Sequence, residues 1–234
     1  SRLTHSFNNM LWKLNSSFEN KRLFAQNAAH ELKTPLASIM ANIDVLELDK
    51  EPTSDEYREL IDIIRISTER LIELVKGLLS LNTVMDESQC QLVNIKQAIE
   101  IIIADLHEMI SQKNINVVIT GECEIKGDKA LLERALLNLI HNAVRYNIKS
   151  GNVTITLSSD TIVIEDNGVG IPSDCLEHIF EPFYCVDKSR SKKLGGHGLG
   201  MTIAKSILDK HNIDICVFSE VSKGTRIIMK KQNP

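Results

Sequence analysis

The sequence predicts an α+β chain: a long antiparallel helical hairpin, then a mixed β-sheet covered on one face by helices. Three observations carry this. The eleven glycines are segregated, none preceding Gly77 and seven lying between Gly151 and Gly200. Apolar residues of the first third recur in steps of three and four, the period of packed helices. From about Val93 strand-like apolar runs alternate with helical stretches, an order that packs as a sheet with a helical layer.

At 234 residues the chain is long enough for one to two domains of about 150 residues each. Hydrophobic content of 43% and charged content of 25% are those of an ordinary globular protein. A net charge of −4 gives no general pull toward nucleic acid or an anionic membrane, and no nucleic-acid partner is expected. No apolar run approaches the roughly 18 residues of a membrane helix. The opening SRLTH has neither an initiator Met nor the apolar core of a signal peptide, so a piece of a longer protein is expected. The five cysteines (90, 123, 175, 185 and 216) are scattered and form no CxxC pair. That argues against a disulfide framework or zinc site and fits a reducing cytoplasm.

Each element has its own signal. Leu3, Phe7, Met10, Leu14, Ser17, Lys21, Phe24 and Ala28 form a first heptad-like seam. Ala25, Ala29, Leu32, Leu36, Ile39, Ile43 and Leu46 continue it one residue out of phase, a slip that shifts the packing face. DKEPTSD breaks the pattern, and a third seam runs Tyr57, Leu60, Ile64, Ser67, Leu71, Leu74, Leu78 and Leu81. Two long helices across a short break make an antiparallel hairpin. Its apolar stripes are too wide for one hairpin to cover, which points to a four-helix bundle across a dimer; a monomeric bundle packed on the second half is the alternative. Beyond it come a helix near 94–110, the strand INVVIT, and a helix over Asp128–Tyr146 with Asp128 as N-cap. VTITLS and TIVIED read as paired strands. A helix over Leu199–Lys210 precedes the final strands DICVFS and TRIIMK.

Two constellations carry chemistry. In NAAHELKTPL, His30 lies one residue past the Ala29 seam position, about 100° around the helix, so it faces out of the bundle. Pro35 lacks an N–H and bends the helix just beyond it. Thr34 lies one turn along the same face. A neutral imidazole is a nucleophile, and Glu31 can polarise one ring N–H, although neighbours at i and i+1 do not face each other directly. Alone, His30 also reads as a solvated helix histidine.

The second constellation is not a Walker site, since GxxxxGK[ST] is absent. On LLNLIHNAVRYN, Leu132, Leu136, Leu139 and Ala143 form a buried seam, with Asn138, Asn142 and Arg145 on one flank. An amide oxygen suits Mg²⁺ and an arginine complements phosphate, although two asparagines alone also make an ordinary wet flank. DNGVGIP places Asp166 at a strand end, able to accept from an adenine amino group, with Gly168 and Gly170 allowing close backbone approach. GGHGLGM spaces Gly196, Gly198 and Gly200 at a helix start, where backbone N–H groups favour phosphate. Each string alone also reads as a turn or a loop.

HELKTPL in a helical hairpin, followed in order by the asparagine box, DNGVG, the IFEPF phenylalanines (Phe180, Phe183), GHGLG and KGT, resembles the sensor histidine kinases of bacterial two-component systems. The resemblance implies an ATP-binding α/β sandwich of the kind also found in gyrase, Hsp90 and MutL. It divides the chain into a signalling helix ending a HAMP-like linker (1–19), a dimerisation and phosphotransfer hairpin (20–84), a linker (85–92) and a catalytic domain (93–234). It implies that His30 takes the γ-phosphate of ATP, that Glu31 assists, and that Thr34 orients water for dephosphorylating a response regulator. The residues matching the family's ATP site are Asn138, Asn142, Arg145, Tyr146, Asp166, Gly168, Gly170, Lys188, Arg190, Gly196, Gly198, Leu199, Gly200 and Thr225, with Asn142 on Mg²⁺. Lys188, Arg190, Lys192 and Lys193 match the ATP lid, which otherwise reads as a basic loop. A homodimer, a response-regulator partner and membrane anchoring through segments absent here complete the implied protein. Two positions depart from the pattern: Cys185 stands where Arg is common, and His211-Asn212-Ile213 replaces HGG in what reads as a structural role. A clamp-type ATPase of the same fold, or a degenerate kinase serving as a dimeric interaction module, are the alternatives.

Overall fold

The computed structural model describes residues 2–48, 53–81, 87–187 and 197–232, with the side chains of part of 2–20 and of Glu87 excepted. The chain divides into two compact units, Ser1–Lys76 and Gly77–Pro234.

The first unit contains α1 (Arg2–Leu48) and most of α2 (Ser54–Leu81). α1 is one continuous helix through Pro35. α2 starts on a capping box: Thr53 Oγ1 accepts the N–H of Glu56, and the Glu56 carboxylate accepts the N–H of Thr53 at 2.7 Å. The Thr53 N–H and the Thr53 hydroxyl, both donating to the Glu56 carboxylate at 2.7 Å, hold that carboxyl below its ordinary value. Leu60, Ile64, Ser67, Leu71 and Leu74 of the expected third seam are half-buried or buried. Leu36, Met40, Tyr57, Ile61, Ile72 and Val75 remain exposed. The side chains of Leu3, Leu14 and Ser17, and the break at 49–52, lie outside the described residues.

The second unit is built on a five-stranded sheet of β2 (Asn116–Gly121), β4 (Asn152–Leu157), β5 (Thr161–Asp166), β6 (Ile213–Glu220) and β7 (Gly224–Lys231). The strand order is β2-β4-β5-β7-β6; β2 runs parallel to β4 and every other pair is antiparallel. Alternation along the strands turns Val153, Ile155, Ile164, Ile227 and Met229 into the core. There they meet α3 (Ile95–Asp105), α5 (Lys129–Arg145) and α6 (Gly200–Lys210) through Ile99, Leu139, Ile140, Val144 and Ile207. The expected N-cap of α5 is in place, with Asp128 accepting the N–H of Leu131 at 3.1 Å.

Two features differ from the sequence reading. The helix expected near 94–110 is two helices, since α3 ends at Asp105 and α4 (His107–Lys113) follows Leu106. Asn94 caps α3, accepting the N–H of Gln97 at 2.9 Å. A second, two-stranded antiparallel sheet pairs β1 (Cys90–Asn94) with β3 (Glu124–Asp128). Both strands have five residues, of which only Val93 on β1 and Ile125 and Gly127 on β3 are buried, leaving little apolar signal.

Candidate functional site

In the first unit, His30 is exposed on α1, and Glu31 and Thr34 are half-buried beside it. Thr34 Oγ1 donates to the His30 carbonyl at 3.1 Å, so its proton is engaged within the helix while its lone pairs stay available.

In the second unit some of the expected nucleotide residues meet at one end of the sheet. Asp166 ends β5, directly across from Thr225 on β7, which stands directly across from Ser219 on β6. The three form a row on the helix-covered face, one step beyond the buried pair Ile164 and Ile227. Burial pushes the Asp166 carboxyl above its ordinary value, while the backbone N–H groups of Gly168 (2.8 Å) and Thr225 act against that shift. Ser219 Oγ touches three partners at 2.8 Å: the N–H of Ile171, the carbonyl of Gly224 and the hydroxyl of Thr225.

The loop after β5 is locked between neighbours. Val169 donates to the Tyr146 carbonyl at 3.1 Å and accepts from the N–H of Ser222 at 2.8 Å. A Cβ at Gly168 would stand 2.5 Å from that same Tyr146 oxygen. Gly170 has φ +69° and lies against the Glu220 carbonyl, so an L side chain would be strained as well as crowded.

α5 and α6 supply the rest. A Cβ at Gly200 would stand 3.2 Å from Asn138 Oδ1, so the start of α6 faces the amide on α5. Asn142 is half-buried one turn on from Asn138. Arg145, expected on the polar flank, is buried, its guanidinium 5.8 Å from the Tyr146 ring centroid. Burial and that guanidinium push the neighbouring His141 down to about 4, leaving it neutral. Phe183 and Gly198 both hold positive φ, and the Phe183 N–H donates to the Gly198 carbonyl at 2.9 Å, bringing the phenylalanine box to the glycine box. Lys188, Arg190, Lys192, Lys193 and Gly196 lie outside the described residues; Leu199 is buried at the head of α6. Cys185 is half-buried.

Two residues of this region escaped the sequence reading. Ser219 is a lone serine in an ordinary strand and gains meaning only from its register. Lys113 ends α4, and its Nζ donates to the carbonyls of Val144 and Asn147, both at 3.2 Å, and of Arg145. A cation on the last carbonyls of a helix complements its dipole. No local signal along the chain marks it.

A sheet with helices on one face, a nucleotide-type glycine and asparagine set at one end, and an exposed histidine on a preceding long helix define a histidine kinase core. Residues 20–87 match the His Kinase A (phospho-acceptor) domain, and residues 127–233 match the Histidine kinase-, DNA gyrase B-, and HSP90-like ATPase family. The chain belongs to the histidine kinases with these two domains in tandem.

Among curated relatives, the chain is 34% identical over 220 residues to the Sensor histidine kinase RppB of Synechocystis, covering 89% of this chain and 48% of that protein. It is 33% identical to the Signal transduction histidine-protein kinase ArlS of Staphylococcus aureus, covering 95% of this chain and 51% of that protein. The chain thus spans about half the length of the curated relatives it matches. The fold is that of the Acinetobacter baumannii histidine kinase AdeS (TM-score 0.66, 22% identity, 88% of this chain and 98% of that one). It is also that of histidine kinase ThkA solved in complex with the response regulator protein TrrA (TM-score 0.67, 20% identity, 94% and 66%).

Proposed function

We propose that this chain is the kinase core of a sensor histidine kinase: it binds ATP in the second unit, phosphorylates itself on His30, and passes the phosphoryl group to an aspartate of a response regulator. The observation that carries the reading is Asp166 with Thr225 and Gly168 at one end of the sheet, against the Tyr146 end of α5, whose Asn138 faces Gly200 at the head of α6, in a chain that also exposes His30. A ring nitrogen of His30 attacks the γ-phosphorus, the bond to the bridging oxygen breaks, and ADP leaves with that electron pair. Glu31 accepts a hydrogen bond from the other ring N–H and stabilises the charge that develops there.

The site fits a metal–nucleotide complex. Gly168 and Gly170 let the loop after β5 close on Tyr146 and Glu220 beside Asp166, the start of α6 at Gly200 faces the Asn138 amide, and Asn142 offers a neutral, hard amide oxygen. Among the described residues no group of three or more His, Cys, Asp and Glu could hold a metal by itself. Mg²⁺ commonly takes most of its ligands from phosphates and water. Bound there, it would neutralise charge on the transferring phosphoryl group. Arg145 and Tyr146 brace the end of α5; Lys188, Arg190 and Gly196, outside the described residues, are assigned with Gly198 to the phosphates by the family resemblance.

The apolar side chains left exposed on α1 and α2, among them Leu36, Met40 and Ile61, support a homodimer that buries them in a four-helix bundle. Thr34, one turn from His30, would orient water for dephosphorylating the regulator. The domain division 1–19, 20–84, 85–92 and 93–234 is retained for the functional parts. No helix among the described residues is long and apolar enough to cross a membrane; membrane anchoring would come from other segments of a longer protein, with this part on the cytoplasmic side.

Incubation with γ-labelled ATP tests the reading. Acid-labile, alkali-stable label on the chain is expected, transferable to a response regulator. Release of phosphate with no label on the protein would mark a clamp-type ATPase instead, and neither would mark a degenerate interaction module.

A further inference from the structure

We infer that Ser219 is a positioning residue for base selection: it fixes the direction of the Thr225 hydroxyl proton, so that this hydroxyl can only accept hydrogen bonds from a ligand. The inference rests on the nucleotide reading of the Asp166 end of the sheet and adds to it the means by which one purine is preferred to another.

The argument is one of donors and acceptors. Ser219 Oγ has one proton and two lone pairs. The Gly224 carbonyl at 2.8 Å can only accept, so the Ser219 proton goes there. The Ile171 N–H at 2.8 Å can only donate, so it takes one lone pair. What remains for the Thr225 hydroxyl, also at 2.8 Å, is the other lone pair, and Thr225 must donate. Any other assignment leaves the Gly224 carbonyl without this bond or sets two protons against each other.

Thr225 thereby turns its proton away from Asp166 and toward the β6 side of the row. Its unused lone pairs join the Asp166 carboxylate, an acceptor while ionised. The sheet end therefore offers acceptors side by side. A purine with a 6-amino group donates to such a pair, whereas a 6-oxo purine presents lone pairs to lone pairs. A free threonine hydroxyl would rotate to suit either base; the bond to Ser219 removes that freedom. Because Ser219 reaches the ligand only through Thr225, its effect is on discrimination more than on affinity.

The test measures equilibrium binding of ATP and of inosine triphosphate, which differ at the 6-position in this respect, to wild type, Ser219→Ala, Ser219→Thr and Thr225→Val. A neutral hydrogen bond contributes on the order of threefold to tenfold in affinity. Ser219→Ala should lower the ATP/ITP affinity ratio by about that factor, mostly by strengthening ITP. Ser219→Thr, which keeps the hydroxyl, should restore the ratio. Thr225→Val should lower the ratio in its own right, and adding Ser219→Ala to it should lower the ratio no further. This last comparison does not depend on the stability of Ser219→Ala alone. Equal weakening of both nucleotides, or an unchanged ratio in the presence of normal binding, would overturn the inference and leave Ser219 as a brace of the β6–β7 hairpin. Failure of wild type to bind either nucleotide would instead overturn the nucleotide reading on which it stands.

Discussion

The imidazole of His211 joins the start of α5 to the end of α6: its Nε2 accepts the Asp128 N–H at 3.1 Å and its Nδ1 donates to the Ile207 carbonyl at 2.8 Å. These two bonds fix the tautomer as Nδ1–H. The ring is buried and packs over Gly127, where a Cβ would strike it. The structural role read for this departure from HGG is therefore what the fold uses.

His211→Phe keeps the bulk and removes both bonds, leaving a buried donor and acceptor unmatched. The expected cost is about 1–3 kcal/mol of unfolding free energy. Urea denaturation measures it, and a midpoint equal to wild type would show that the bridge carries no stability.

Asp166→Asn separates binding from stability. Burial raises the carboxyl in the folded state. Between its ordinary value and that raised value the folded chain holds more protons than the unfolded one, so this group makes stability fall as pH rises through the window. An amide carries no such penalty and keeps an oxygen for the Gly168 and Thr225 N–H groups. Asp166→Asn should lose most ATP affinity yet melt no lower than wild type at neutral pH, and the pH dependence of its melting should flatten in mildly acidic buffer. Tight ATP binding by this variant would displace the pocket from the end of β5.

Thr34→Ala should retain self-labelling and lose most phosphatase activity toward the regulator. The Thr34 proton is held by the His30 carbonyl, which leaves the hydroxyl to act on water through its lone pairs. Comparable losses in both assays would indicate a damaged helix. His30→Ala should abolish labelling while ATP affinity stays near wild type.

Gly198→Ala attacks the junction of the two boxes. At φ +68° a side chain is strained, and its Cβ would stand 2.6 Å from both the carbonyl carbon of Phe183 and the carbonyl oxygen of Tyr184. Strain of about 1–3 kcal/mol predicts a loss of up to about a hundredfold in nucleotide affinity if the junction must form for binding. Calorimetric titration with a non-hydrolysable ATP analogue checks this.

Legibility followed the strength of local pattern. α5 was readable from its seam, its Asp128 cap and its length, and the DNG loop from its place in order among the other boxes, since alone it reads as a turn. β1 and β3 were not, because five residues with one or two buried positions resemble a linker until they pair. The break at Leu106 escaped because Ile102, Ile103 and Ile110 keep a helical spacing across it. The Ser219 row and the Lys113 contacts are properties of register and of residues more than thirty apart, which no window along the chain contains.

Cys185→Arg should raise the rate of self-phosphorylation. A thiol supplies no fixed positive charge and is a weak donor, whereas a guanidinium could reach the triphosphate. A charge-assisted contact of about 1.5–3 kcal/mol made only in the transition state corresponds to roughly tenfold to a hundredfold. An unchanged or slower rate in a folded variant would assign the half-buried thiol to filling space instead.

The Lys113 ammonium has a consequence for the order in which the fold assembles. The carbonyls it holds lie 31 to 34 residues further along the chain, so the last turn of α5 cannot draw on this cation until α4 has docked. An isolated α5 frays at that end, as helix termini do. Closing and opening there should be a shared event of two segments, with amide exchange at Tyr146 and Asn147 expected to keep pace with exchange in α4 instead of with the centre of α5. On the proposed function, the end of α5 that would face the nucleotide gains this support only with α4, and nucleotide binding should slow exchange in α4 as well.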